Sequence, residues 1–131
     1  FPTRRSSDLK RVNDNHGHDA GDNVLIETAV RMKSMLRTPD MVARWGGEEF
    51  LIVLPGATPD VAMIVAERLR QAVAGEPVDL GGGRSQSLTL SLGVCCQAGG
   101  QAHDVACLIA EADQALYAAK AGGRNQVMLA A

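Results

Sequence analysis

Met41-Val-Ala-Arg44-Trp45-Gly46-Gly47-Glu48-Glu49-Phe50-Leu-Ile-Val-Leu54 is the stretch that decides the fold of this chain. Two short apolar runs flank a glycine pair, which predicts a β-hairpin turning at Gly46-Gly47. Pro55 and Gly56 end it. Two glycines at a turn leave the backbone uncovered, so a ligand can approach closely. Glu48 and Glu49 follow at once. If the strand begins there, they point to opposite faces. A carboxylate beside bare backbone suits Mg²⁺, a hard cation commonly held by one or two carboxylates plus substrate phosphates. Taken alone, a plain hairpin turn with two solvated acids explains the same residues.

The elements on either side alternate between helix and strand. Upstream, Val24/Leu25, Thr28/Ala29, Met32 and Met35/Leu36 recur at spacings of three and four, predicting a helix over 20–37 with Asp19 or Asp22 as its cap. Residues 10–22 are polar and read as a loop that can include a turn of helix. Downstream, Thr58-Pro59 is an N-cap and first-turn pair, and Gly75 a stop, bounding a helix over 59–74. Residues 76–86, with Gly81-Gly82-Gly83, read as a loop. Leu88, Leu90, Leu92 and Val94 alternate with small or polar residues, a strand of period two. Asp104 opens a third helix over 104–120, which Gly122-Gly123 breaks. Gln126 to Leu129 read as a last short strand. With no repeat and no linker, this is one α/β domain.

Composition narrows the function classes. The chain has 131 residues, one domain's worth, with 46% apolar and 21% charged residues. Aromatic residues are 3%, so the core is aliphatic and no stacking platform for single-stranded nucleic acid is present. A net charge of −2 excludes a non-specific nucleic-acid binder. No apolar run approaches the ~20 residues that span a bilayer, and residues 1–10 lack an apolar signal core. Cys95, Cys96 and Cys107 form neither a disulfide framework nor a zinc pattern, and read as buried reduced thiols of a cytoplasmic protein.

Four blocks in order resemble the GGDEF family, the diguanylate cyclases. Gly46-Gly47-Glu48-Glu49-Phe50 is the signature in its Glu variant. Lys10-Arg-Val-Asn13-Asp14-Asn15-His16-Gly17-His18-Asp19-Ala20-Gly21-Asp22 resembles the family's F-K-x-[IV]-N-D-x-x-G-H-x-x-G-D segment. Ser91-Leu92-Gly93-Val94 is similar to its [ST]-[IV]-G-[IV] strand. Asp113-Gln-Ala-Leu-Tyr117-Ala-Ala-Lys120-Ala-Gly-Gly-Arg124-Asn125 is similar to its A-D-x-A-[LM]-Y-x-A-K-x-x-G-R-N ending. The likeness spans residues 10–125.

The resemblance implies a palm-like, nucleotidyl-cyclase-like mixed β-sheet flanked by helices. It implies Mg²⁺- or Mn²⁺-dependent condensation of two GTP into cyclic di-GMP and two pyrophosphates across a homodimer. Under it, Glu48 is the metal-ligating and catalytic acid and Glu49 the second catalytic acid. Gly46 and Gly47 admit the phosphates. Asn13 and Asp22 bind guanine, the Asp accepting from N1 and N2. His18 lines the nucleotide pocket, or else stabilises its own loop. Lys10, Lys120 and Arg124 sit near phosphate; without the resemblance, Lys120 and Arg124 read as cations favoured by a helix C-terminus. Arg37-Thr-Pro-Asp40 resembles the family's R-x-x-D inhibitory site for cyclic di-GMP, with Arg68 a secondary contact. Arg68 reads equally as a solvated helix arginine.

The chain departs from the pattern at its start. The family carries D-x-D-x-F-K before the guanine segment, and its first Asp ligates metal. Counted back from Lys10, that Asp falls on Arg5 and the Phe on Leu9. Phe1-Pro-Thr-Arg-Arg-Ser-Ser-Asp-Leu9 is polar, basic and aperiodic. It reads as a foreign or disordered terminus ahead of a partial domain, 10–131. The first strand is therefore expected to be missing or replaced, leaving strand edges unpaired. A catalytically defective domain that binds cyclic di-GMP or GTP as a receptor is the alternative to the enzyme. The family's habit of carrying an upstream sensory domain, in a parent soluble or membrane-anchored, is a further expectation.

Overall fold

The computed structural model describes residues 2–5, 18–97 and 104–130. The described elements are β1 (Pro2–Arg5), α1 (His18–Ser34), β2 (Met41–Gly46), β3 (Glu49–Val53), α2 (Pro59–Ala74), β4 (Val78–Gly81), β5 (Arg84–Gln86), β6 (Ser91–Val94), α3 (Val105–Ala121) and β7 (Val127–Leu129). Five strands form one mixed sheet in the order β2-β3-β1-β6-β7, and β4-β5 is a separate two-stranded ribbon. β6 and β7 pair in parallel; the other pairs are antiparallel.

Local chemistry explains most boundaries. In α2, Thr58 accepts a hydrogen bond from the Val61 N–H at 3.3 Å, and Pro59 takes the first turn, where no N–H is needed. In α3, Asp104 caps by accepting from the Ala106 N–H at 3.1 Å. α1 starts at His18, so Asp19 and Asp22 lie inside its first turns rather than at the expected cap. It also ends at Ser34, short of the expected 37. Thr38 precedes a proline, which disfavours helix there. The Asp40 carboxylate accepts from the Arg37 N–H at 2.8 Å, folding 37–40 into a turn.

Two expectations are corrected. Residues 76–86 are not simply loop: β4 and β5 form a hairpin turning on Gly81, Gly82 and Gly83, whose φ values are 82°, 62° and 78°. Val78 and Leu80 are buried and Asp79 exposed, a period-two signal too short to stand out in the sequence. Of the outcomes expected for the first strand, replacement holds, and the edges expected to be unpaired are paired at its position. Pro2–Arg5 fills it, pairing with β3 on one side and β6 on the other. Backbone pairing is indifferent to side-chain type, so a polar segment can occupy a slot whose neighbours offer N–H and C=O groups.

The sheet separates two apolar layers. Phe50, Ile52, Leu92 and Val94 face the larger core, with Val24 and Met32 of α1 and Ala66, Leu69 and Val73 of α2. On the opposite face α3 presses its backbone on β6. A Cβ added at Gly93 would lie 2.1 Å from the Ala112 carbonyl oxygen and 2.4 Å from the Leu116 nitrogen. Glycine is therefore the residue that lets helix and strand approach this closely.

Candidate functional site

The site gathers at the end of the sheet where the β2–β3 hairpin turns. The register slips between Arg44 and Gly46, a bulge that pushes Trp45 out to solvent. Gly47 has φ +28°, while Gly46 carries no positive φ, and a Cβ at either would meet nothing within 4 Å. Among the described residues, Gly46 thus answers to no steric constraint. The space its missing side chain leaves open faces outward, where another molecule can approach. The Arg44 guanidinium fixes the turn, with Nε and Nη2 both donating to the Gly47 carbonyl oxygen.

Glu48 lies in this turn and β3 begins at Glu49, so only Glu49 belongs to the alternation of the strand. Both are half-buried. Among the described residues, Glu48 makes no hydrogen bond or ion pair. Its carboxylate is free to receive a ligand.

Beneath the hairpin lies an apolar cleft of about 200 Å³, lined by Leu25, Ile26 and Ala29 of α1, Val42, Ala43 and Arg44 of β2, and Phe50. Asp22 is exposed and stands four residues before the cleft-lining Ile26, on the same helix face. An apolar cleft with a carboxylate on the same helix face suits a planar base carrying N–H donors. The backbone of His18 opens α1. Lys10 and Asn13 lie outside the described residues.

A row of registered positions crosses the sheet here. Arg5 is the Cα partner of Glu49 in β3 and of Ser91 in β6. The Asn125 N–H donates to Ser91 Oγ at 3.2 Å, so the turn after α3 ends the row. That turn carries Arg124, exposed and at φ 63°, while Lys120 sits in the last turn of α3.

The row also tests the expected divalent metal. Its middle position is arginine, and among the described residues no three His, Cys, Asp or Glu side chains come together to hold a metal ion. Among the described residues, Glu48 and Glu49, the latter in register with an arginine position, are a poor donor set for Mg²⁺. The described residues do not by themselves make the donor set that the family sequence pattern requires.

Arg37 and Asp40 are brought together, but on each other. Arg37 Nη2 donates to Asp40 Oδ1 at 2.8 Å and to the Pro55 carbonyl at 2.9 Å, while Nε reaches both Asp40 oxygens at 3.2 Å. The Asp40 side chain is 2% exposed. Hydrogen bonding to Arg37 holds its carboxyl below the usual range. A ligand at Asp40 must first displace Arg37. Arg68 is exposed on α2 and, among the described residues, makes no hydrogen bond or ion pair.

Sequence reading assigned no role to Arg44, the cleft-lining side chains or the contact between Arg70 and Asn125, which only the fold brings near. Cys95 and Cys96 are at least partly buried, but Cys107 is exposed, correcting the expectation of three buried thiols.

Known proteins share this fold. The family model for the diguanylate cyclase GGDEF domain matches residues 5–126. The response regulator PleD of Caulobacter vibrioides is 42% identical over 121 residues, covering 92% of this chain and 26% of that protein. Diguanylate cyclase A of Treponema denticola is 40% identical over 121 residues, 92% of this chain and 32% of that protein. The chain thus spans about a quarter to a third of these relatives. The GGDEF domain of DgcB from Caulobacter crescentus, solved with c-di-GMP, superposes with a TM-score of 0.90 at 30% identity, covering 98% of this chain and 75% of that one. The active GGEEF domain of a Vibrio cholerae diguanylate cyclase gives 0.89 at 35% identity, covering 99% and 81%.

Proposed function

The chain belongs to the GGDEF diguanylate cyclase family, and on that premise we propose that its site binds GTP for condensation into cyclic di-GMP. The observation that carries the reading is Gly46: a glycine with open space among the described residues and no positive φ, beside a Glu48 that none of them partners and near an apolar cleft lined by Leu25, Ile26 and Phe50. Guanine enters the cleft and donates to Asp22, with Asn13 completing its recognition. The phosphates lie over Gly46-Gly47, with Lys10, Lys120 and Arg124 supplying positive charge. His18 lines the pocket. The 3′-hydroxyl of each GTP attacks the α-phosphate of the other, losing its proton and releasing pyrophosphate, which requires two copies face to face. Glu48 and Glu49 are the acids at the reacting end.

Arg5 sets the limit on turnover. The family reaction uses Mg²⁺ or Mn²⁺, and arginine replaces the aspartate that the sequence pattern places in this row. The expected outcome is GTP binding by the chain as it stands, with cyclic di-GMP formation at least roughly tenfold faster in Arg5→Asp with Mg²⁺. Glu48→Gln in that background abolishes the gain. Absence of GTP binding by calorimetry overturns the reading.

A second reading follows from Arg5 and the preformed Arg37–Asp40 pair: a receptor that binds cyclic di-GMP at Arg37, Asp40 and Arg68 without catalysis. Calorimetry with cyclic di-GMP tests it, and binding indifferent to Arg37→Ala refutes it. The described residues include no helix long and apolar enough to cross a membrane. A sensory domain elsewhere in the parent would set when two copies meet.

A further inference from the structure

We infer, resting on the reading that Arg124 meets nucleotide phosphate, that Arg70 is a positioning residue: from α2 it holds the Gly122–Asn125 turn and so fixes where Arg124 stands. Arg70 Nη1 donates to Asn125 Oδ1 at 2.9 Å, across 55 positions of sequence. The rest of the guanidinium is gripped by Glu67, with Nε at 3.1 and 2.9 Å from its two oxygens and Nη2 bonded to Oε1 as well. Hydrogen bonding to Arg70 keeps the Glu67 carboxyl below its usual range, so the pair stays ionised through neutral pH. The side chain is 21% exposed. Arg70 is therefore aimed from one helix at the end of another.

The turn it reaches needs holding. Arg124 and Asn125 have φ 63° and 48°, two successive residues with side chains in the left-handed region. Such backbone persists only where its surroundings over-determine it. Locally, the Arg124 N–H and Gln126 Nε2 both donate to the Ala119 carbonyl, at 3.0 and 2.9 Å. Among the described residues, two hydrogen bonds come from elsewhere in the fold: Ser91 Oγ accepts from the Asn125 N–H, and Arg70 donates to the Asn125 side chain. Ser91 fixes the turn to the row that runs through Arg5 to Glu49. Arg70 fixes its orientation from the far side of the sequence. An ion pair serving α2 alone would be complete with Glu67; the bond to Asn125 adds nothing to that helix.

The test compares the whole chain with Arg70→Gln, Asn125→Gly and the double variant. Asn125→Gly keeps the left-handed backbone and removes the acceptor, so it serves if Arg70→Gln does not fold. Arg84→Gln, an exposed arginine of β5, controls for lost charge. Affinity is measured for GTP by calorimetry and for guanosine, which has base and ribose but no phosphate, by nuclear magnetic resonance titration. Amide hydrogen exchange is followed at Arg124 and Asn125. The expected result is GTP affinity about tenfold weaker in each single variant, with guanosine affinity within about twofold of the parent. The double variant loses no more than the worse single, as for residues acting as a unit. Amide exchange in the turn quickens about tenfold, and Arg84→Gln changes nothing. GTP affinity untouched by Arg70→Gln overturns the proposal, as does equal loss of GTP and guanosine, the mark of a general folding defect. So do additive losses in the double variant. Arg124→Gln reports separately on the underlying reading: if GTP binding survives it unchanged, that reading fails and takes this proposal with it.

Discussion

Arg44 clamps the turn that carries Gly46: its Nε and Nη2 donate to the Gly47 carbonyl oxygen at 2.9 and 2.7 Å. A lysine ammonium has the charge but not the planar fork. Arg44→Lys is expected to loosen the turn by about 1 kcal/mol, lowering GTP affinity about fivefold by calorimetry. Unchanged affinity would remove Arg44 from the site.

Two glycines make opposite predictions under the same substitution. Gly93→Ala drives a methyl into the α3 backbone, with 2.1 Å to the Ala112 oxygen. It is expected to lose about 2–3 kcal/mol or more in urea unfolding. Gly46→Ala meets open space and should stay within about 0.5 kcal/mol of the parent. Its loss is expected in GTP binding instead, where the methyl occupies the approach to the backbone. A Gly46→Ala domain that binds GTP normally would contradict the proposed phosphate position.

Asp40 predicts an acid limb. Its folded pKa lies below its unfolded value because Arg37 donates to it. The unfolded chain therefore takes up this proton first as pH falls. The stability Asp40 contributes is present above about pH 4 and disappears as pH drops through the folded value. Asp40→Asn should be less stable at neutral pH and should lack that part of the acid sensitivity. Urea titrations between about pH 2 and 7 would show two parallel curves if the pair contributes nothing.

Cys95 predicts an alkaline limb of the other sign. Burial, then its hydrogen bond to Glu111, pushes the thiol up from 9.0 to about 11. Between those values the unfolded chain loses the proton while the folded chain keeps it, so stability falls with rising pH. Cys95→Ala should flatten this decline. At pH 8 iodoacetamide should modify exposed Cys107 well before Cys95, followed by mass spectrometry.

Where the sequence carried local punctuation, it was legible. Thr58-Pro59 and Gly75 bound α2 where its ends are found, and the glycine pair marked the hairpin. What was not legible depends on partners distant in sequence. β1 has no apolar pattern because backbone pairing places it. β4–β5 was hidden by its shortness and three glycines. The motif residues Gly46 to Glu49 announced a site, but nothing beside Arg70 in the sequence points to Asn125. Nor does the spacing of Arg37 and Asp40 reveal that each already occupies the other.

The middle strand of the sheet, β1, precedes both of its neighbours in sequence, and this sets an order of assembly. β1 can pair on one side only when β3 exists, and on the other only when Ser91–Val94 does. Closing so long a loop is entropically slow, and such non-local pairings lower folding rates. On a ribosome, Pro2–Arg5 is made before β3 and β6 and waits for both. Until it docks, β3 and β6 each show an open ladder to any other extended chain, including a second copy. The speed with which Pro2–Arg5 finds its slot therefore governs how much newly made domain is lost to intermolecular pairing.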